Sequence, residues 1–160
     1  KKLNFKDSIK EILLTKADLI SFIFVLEHLE NPTKVFKAFK ESKAKYLYIA
    51  VPLFSLTVFI ENIFQKNYPR QLGGAHTNLY SKESLEFLAK KYNLKTVGEW
   101  WFGSDFLDLY RNLIISSKYK NKFYEEKFNN LFLKKINSLQ KVLDKSKMCS
   151  EVHLIFKKNK

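Results

Sequence analysis

Glycine is scarce in this 160-residue sequence: Gly73, Gly74, Gly98 and Gly103 are the only four. Neither G-x-G-x-x-G nor G-x-x-x-x-G-K-S/T occurs. Those loops let backbone N–H groups approach a phosphate, so their absence excludes a self-contained dinucleotide-binding or P-loop domain. The single cysteine, Cys149, excludes an internal disulfide framework and a Cys-rich zinc site, and it fits a reducing compartment. Arginine is nearly missing as well. Of 29 Lys+Arg residues only Arg70 and Arg111 are Arg, so the formal net charge of +13 is carried by Lys. Lysine lacks the planar fork that reads phosphates and base edges. The excess of Lys accompanies many Asn, Ile and Phe, which is the pattern of a coding bias, and nucleic-acid binding is disfavoured. Long hydrophobic runs are also wanting. The longest, Tyr46–Ile60, holds Pro52, Ser55 and Thr57 and falls short of the roughly 20 residues that span a bilayer. The first residues lack an apolar signal-peptide core. A cytoplasmic protein without a membrane span is expected.

What is present is a core. Hydrophobic residues make up 46% and aromatic residues 16% of the chain, enough for one α/β domain over residues 1–160. Ala17–Leu26 is a nearly continuous apolar run, the pattern of a strand buried on both faces of a parallel sheet. Asn31-Pro32-Thr33 offers a cap and a helix-starting proline, and Val35, Phe36 and Phe39 keep helical spacing. Lys45–Val51 is a second strand, stopped by Pro52. Strand, helix and strand in about 35 residues form a βαβ unit. A helix is expected over Leu53–Gln65 and a loop over Asn67–Tyr80. A further helix is capped by Ser81 and ends near Asn93. Leu94–Phe102 reads as a third strand, Ser104-Asp105 as a helix start, and 118–147 as a Lys-rich helical segment with a solvated face. Glu151–Phe156 alternates as a last strand, antiparallel and at an edge. Leu3-Asn4-Phe5 reads as a strand stub and Asp7-Ser8 as the loop after it.

In open parallel sheets ligands bind beyond the carboxyl ends of the strands. Glu27-His28, Pro52-Leu53-Phe54 and Trp100-Trp101 fall there, and His76 and Tyr80 lie in the loop best able to fold over that edge. An imidazole with an ordinary pKa of about 6.5 suits a general base near neutral pH. His76 and His28 are both candidates, with His76 favoured. The bland reading is that each is a structural hydrogen-bonder. Glu27 can orient an imidazole or accept from a hydroxylated ligand. No metal is expected, because His28 and His76 find no third ligand at suitable spacing. His153 is read as structural.

The order and wording of these motifs resemble a family. Ala17-Asp18-Leu19-Ile20 through Val25-Leu26-Glu27-His28-Leu29-Glu30-Asn31-Pro32 resembles the fourth-strand segment of class I S-adenosylmethionine-dependent methyltransferases. Ile49-Ala50-Val51-Pro52 is similar to their fifth strand. His76-Thr77-Asn78-Leu79-Tyr80-Ser81 through Leu85 is similar to the step into the next helix in their small-molecule branch. The resemblance implies a partial Rossmann-like sheet, mostly parallel with a last antiparallel strand, and helices on both faces. It implies methyl transfer from S-adenosylmethionine to a small-molecule acceptor, a saccharide or metabolite hydroxyl. It carries over Asp7, Ser8, Ser21 and Phe22 as cofactor contacts, and Glu27, Phe54, Tyr80 and Trp101 as substrate contacts. The family's glycine-rich cofactor loop has no counterpart, so the chain reads as the carboxyl-terminal two-thirds of such an enzyme, inactive alone. Two rivals from other classes are a non-catalytic remnant or partner protein, and a basic nucleic-acid-binding module whose affinity falls steeply with salt. A sheet cut in this way exposes an apolar edge suited to a homodimer.

Overall fold

The apolar run at residues 17–26 forms a strand only over Leu19–Ile23 (β1). In the computed structural model, which describes residues 5–74, 76–117 and 122–159, Phe24 turns to a φ of +52°. That left-handed residue ends the strand, while its N–H still donates to Ala50 O at 2.9 Å. Leu26–His28 then closes a single 3₁₀ turn. The remaining elements are α1 (Phe5–Leu14), α2 (Thr33–Glu41), β2 (Tyr46–Pro52), α3 (Leu56–Ile63), α4 (Lys82–Lys91), β3 (Leu94–Phe102), α5 (Asp105–Ser116), α6 (Lys122–Lys145) and β4 (Glu151–Lys158). Asp7 and Ser8 lie inside α1, which corrects the loop expected there. Leu3 and Asn4 of the expected strand stub, and residues 118–121 of the expected Lys-rich helix, lie outside the described residues.

The chain divides into two compact units. The first comprises Lys1–Val51, Thr77–Trp100 and His153–Lys160, and the second comprises Pro52–His76 and Trp101–Val152. The first unit holds the sheet, in the order β1-β2-β4-β3. β1 and β2 pair in parallel, Leu19 opposite Tyr46 and Ile23 opposite Ala50. Lys158 N–H donates to Lys45 O and Asn159 N–H to Asn93 O, so the end of β4 meets the starts of β2 and β3. β4 therefore opposes three strands that share a direction, and the fold class is α/β with a mixed, mostly parallel sheet. β4 is central rather than at an edge, which follows from its uninterrupted Val152, Leu154 and Phe156, all buried. β1 occupies the edge instead. Leu19 and Ile23 remain 45% and 50% exposed, against the expectation of a strand buried on both faces.

One face of the sheet carries the core. Leu47, Ile49 and Val51 from β2 join Val35, Phe36 and Phe39 from α2, with no exposed surface on any of them. Phe36 stacks on Tyr92 at 5.6 Å and meets Phe156 edge-on at 6.3 Å. α1 packs beside α2. Lys158 sets its Nζ over the Phe39 ring, 4.7 Å from the centroid, and donates to Ser42 O, and burial lowers its pKa below the ordinary value. α4 starts in a capping box in which the Ser81 and Ser84 side chains each bond the other's N–H. At the start of α2 the Asn31 side chain accepts from the Thr33 hydroxyl, while its backbone O takes the Lys34 N–H at 3.3 Å. The other face carries Tyr48, whose hydroxyl bonds His153 Nδ1, with Trp100 edge-on to the same imidazole at 5.3 Å. Trp100 is 61% exposed.

Phe36 ties α2, the end of α4 and β4 together, so Phe36→Ala is expected to cost about 3–5 kcal/mol in urea unfolding. A cost below about 1 kcal/mol would contradict that packing.

Candidate functional site

In the first unit, the turn after β1 gathers backbone acceptors. Glu27 O accepts the N–H groups of Thr77 and Asn78 at 2.8 and 3.1 Å. It also takes the Thr77 hydroxyl at 3.0 Å, and Leu29 O takes the Asn78 side-chain amide at 2.6 Å. The Tyr80 hydroxyl donates to Leu26 O at 3.2 Å from a buried position. Burial, then the charge of Glu27, pushes the Tyr80 phenol well above its ordinary pKa, so it remains protonated near neutral pH. These bonds fix residues 77–80 onto the 3₁₀ turn. The Glu27 side chain is 1% exposed and sets Oε1 3.8 Å from Nε2 of the half-exposed His28. That carboxylate is the ligand-type neighbour of His28 that spacing alone did not supply. Ser21 and Phe22 lie within β1, and Asp7 and Ser8 within α1.

The second unit holds Phe54, His76 and Trp101. Phe54 is 52% exposed and meets Phe59 edge-on at 5.4 Å. Lys147 Nζ lies 5.2 Å from the centre of the Trp101 ring. His76 sets Nδ1 3.0 Å from Gln71 O. A carbonyl oxygen can only accept, so Nδ1 carries the proton and Nε2 is the basic nitrogen.

A network of buried carboxylates lies in the same unit, and no sequence motif announced it. Asp105, fully buried, accepts the hydroxyls of Ser55 and Thr57 at 2.6 and 2.9 Å. It also accepts Ser150 N–H at 3.0 Å and the Gln140 amide at 3.2 Å. A Cβ on Gly103 would come within 2.6 Å of both Asp105 Oδ2 and Ser150 Oγ, so this position admits only glycine. Arg70 binds Asp108 through Nε and Nη2 at 3.0 and 2.8 Å and Glu151 through Nη1 at 2.6 Å. Burial opposes the Arg70 charge, but the bonds to Asp108 and Glu151 outweigh it and hold its pKa above the ordinary value. Cys149 is also buried here. Burial pushes its thiol up to about 12, so it is no nucleophile near neutral pH.

The cofactor suggested by the motif resemblance needs a glycine cradle, and these glycines do not form one. Gly73, Gly98 and Gly103 face Pro69, Ile155 and the Asp105–Ser150 pair, and only Gly74, at a φ of +72°, has open space. With Asp7 and Ser8 in a helix, Ser21 and Phe22 could contribute one wall of a cofactor site and not its cradle. No helix among the described residues is long and apolar enough to cross a membrane.

Arg70→Lys keeps the charge and loses the fork. It is expected to destabilise the protein by about 2 kcal/mol in denaturant unfolding. A variant as stable as the parent would show that the fork geometry contributes nothing.

No curated protein matches this sequence. Among solved structures, the fold is similar to that of the small RNA methyltransferase HEN1, with a TM-score of 0.52 at 11% identity over 91% of this chain and 14% of that one. It also aligns with a Galdieria sulphuraria protein assigned as a sarcosine dimethylglycine methyltransferase, with a TM-score of 0.46 at 15% identity over 89% of this chain and 53% of that one. The chain thus spans a small part of the first and about half of the second. Residues 3–99 match the family described as "Methyltransferase domain", which is more than half of the 160 residues. The chain belongs to the methyltransferase-domain family.

Proposed function

We propose that this chain supplies the acceptor side of S-adenosylmethionine-dependent methyl transfer to a small-molecule hydroxyl, on a saccharide or another metabolite. The observation that carries the reading is the bond of His76 Nδ1 to Gln71 O, which makes Nε2 the proton-accepting nitrogen. S-adenosylmethionine, when bound, supplies a methyl group that is already strongly electrophilic, so what the protein must add is position and a base. His76 Nε2 takes the proton of the attacking hydroxyl. His28, beside the buried Glu27 carboxylate, is the second candidate for that role. Phe54 and Trp101 offer aromatic surface on which a sugar or flat ring can stack, and the Glu27 carboxylate can accept a hydrogen bond from a hydroxylated ligand. Ser21 and Phe22 on β1 stand as cofactor-side contacts. Asp7 and Ser8, carried over with them, would have to act from the first turn of α1, and Tyr80 acts by holding the 3₁₀ turn.

The test is methyl transfer from labelled S-adenosylmethionine to a panel of saccharide and metabolite hydroxyls, in the gene product that carries this sequence. His76→Ala is expected to lower turnover by about 10²-fold or more, and His28→Ala by less. Full turnover in both variants would sink the assignment of a histidine base.

A further inference from the structure

We infer that Glu61, on α3, is a positioning residue for His76 and acts through the backbone of the loop between them. The inference rests on the reading of His76 as the base. All of the groups concerned lie within the second unit. The Glu61 side chain is buried and turned toward the loop. Its Oε1 accepts the N–H of Arg70 at 2.6 Å and of Gln71 at 2.8 Å. Its Oε2 accepts the N–H of Gln71 at 3.0 Å and of Leu72 at 2.7 Å. Three consecutive backbone donors thus converge on one carboxylate, a concavity that elsewhere captures anions and here is filled by the chain's own side chain.

The geometric consequence falls on Gln71. Charge-assisted bonds at its own N–H and at both neighbours fix the peptide planes on either side of it. Its side-chain amide donates to Ser150 O at 3.2 Å and anchors it from the other direction. A Cβ on Gly73 would come within 2.7 Å of Pro69 O, so the close return of the loop past Pro69 requires glycine. The Gln71 carbonyl, held in this way, is the one that binds His76 Nδ1. The route from Glu61 to the imidazole is therefore carboxylate, three N–H groups, one carbonyl, and the choice of tautomer.

Replacing Glu61 by Gln leaves one accepting oxygen and puts an NH₂ group, a donor, against donors. The loop can then be intact in outline while the Gln71 carbonyl turns away from the ring. The tautomer of His76 is the quantity that responds, and general loss of stability does not select a tautomer.

Long-range ¹H–¹⁵N spectra of the ¹⁵N-labelled 160-residue chain at pH 8.5, above the ordinary imidazole range, read it directly, with His76 assigned by His76→Gln. In the parent, His76 is expected as a single neutral tautomer protonated at Nδ1. In Glu61→Gln a mixture of Nδ1–H and Nε2–H forms is expected, while His28 and His153 keep their parent patterns. A Glu61→Gln variant that keeps the single Nδ1–H form overturns the inference. So does a parent chain whose His76 is protonated at Nε2 or already mixed, an outcome that needs no variant to fold. Turnover plays no part in this readout. A single Nδ1–H tautomer in an enzyme indifferent to His76→Ala would sink the base and leave the positioning intact.

Discussion

Burying a carboxylate in a protein interior is costly unless hydrogen bonds replace the water it loses, and the second unit buries three: Glu61, Asp105 and Asp108. Much of its local architecture follows from meeting that demand. Asp105 draws the start of α3, the last third of α6 and the residue before β4 onto the start of α5. Asp108, one turn further along α5, takes the Arg70 fork through Nε and Nη2. Glu61 gathers the loop that follows α3. The chain has two arginines among 29 basic residues, and both reach Asp108: Arg70 at 2.8 Å, and Arg111 at 4.0 Å with a further bond to Tyr68 O. In a sequence that otherwise uses Lys, Arg stands where a planar, multi-donor cation is required.

This network bears on function because the loop it restrains ends in His76. Thr77, the next residue, begins the segment that the first unit fastens to the 3₁₀ turn of Glu27 and His28. Residues 70–72 and 77–78 are thus held through their backbone N–H groups. Such a loop keeps an imidazole at a set angle through the bond of its Nδ1 to Gln71 O.

The elements whose signal is local were legible in the sequence. The periodicity of Val35, Phe36 and Phe39 marks α2, and the serine before Lys82 marks the start of α4. Glu27 and His28 were rightly placed after the first strand, and the parallel βαβ unit is as expected. Composition misled where neighbours decide. The run at residues 17–26 is apolar enough for a central strand, yet sheet order puts β1 at the edge. The alternation of Glu151–Phe156 suits an edge, yet β4 is inserted between β2 and β3. Asp105 read as a helix start, which it is. Its role as a hub depended on Ser55, Thr57, Gln140 and Ser150, which lie 35 to 50 residues away in the chain. Glu61, between Ile60 and Asn62 on a helix that is otherwise mostly apolar, carried no visible signal at all.

The central claim is that buried carboxylates, rather than apolar packing, hold the loop that presents His76. Native-state hydrogen exchange of the amides of Arg70, Gln71 and Leu72 tests it most directly, because these N–H groups belong to no helix or strand and their acceptor is a side chain. Protection approaching that of the α5 interior is expected at all three. Exchange at the rate of an unstructured loop would contradict it.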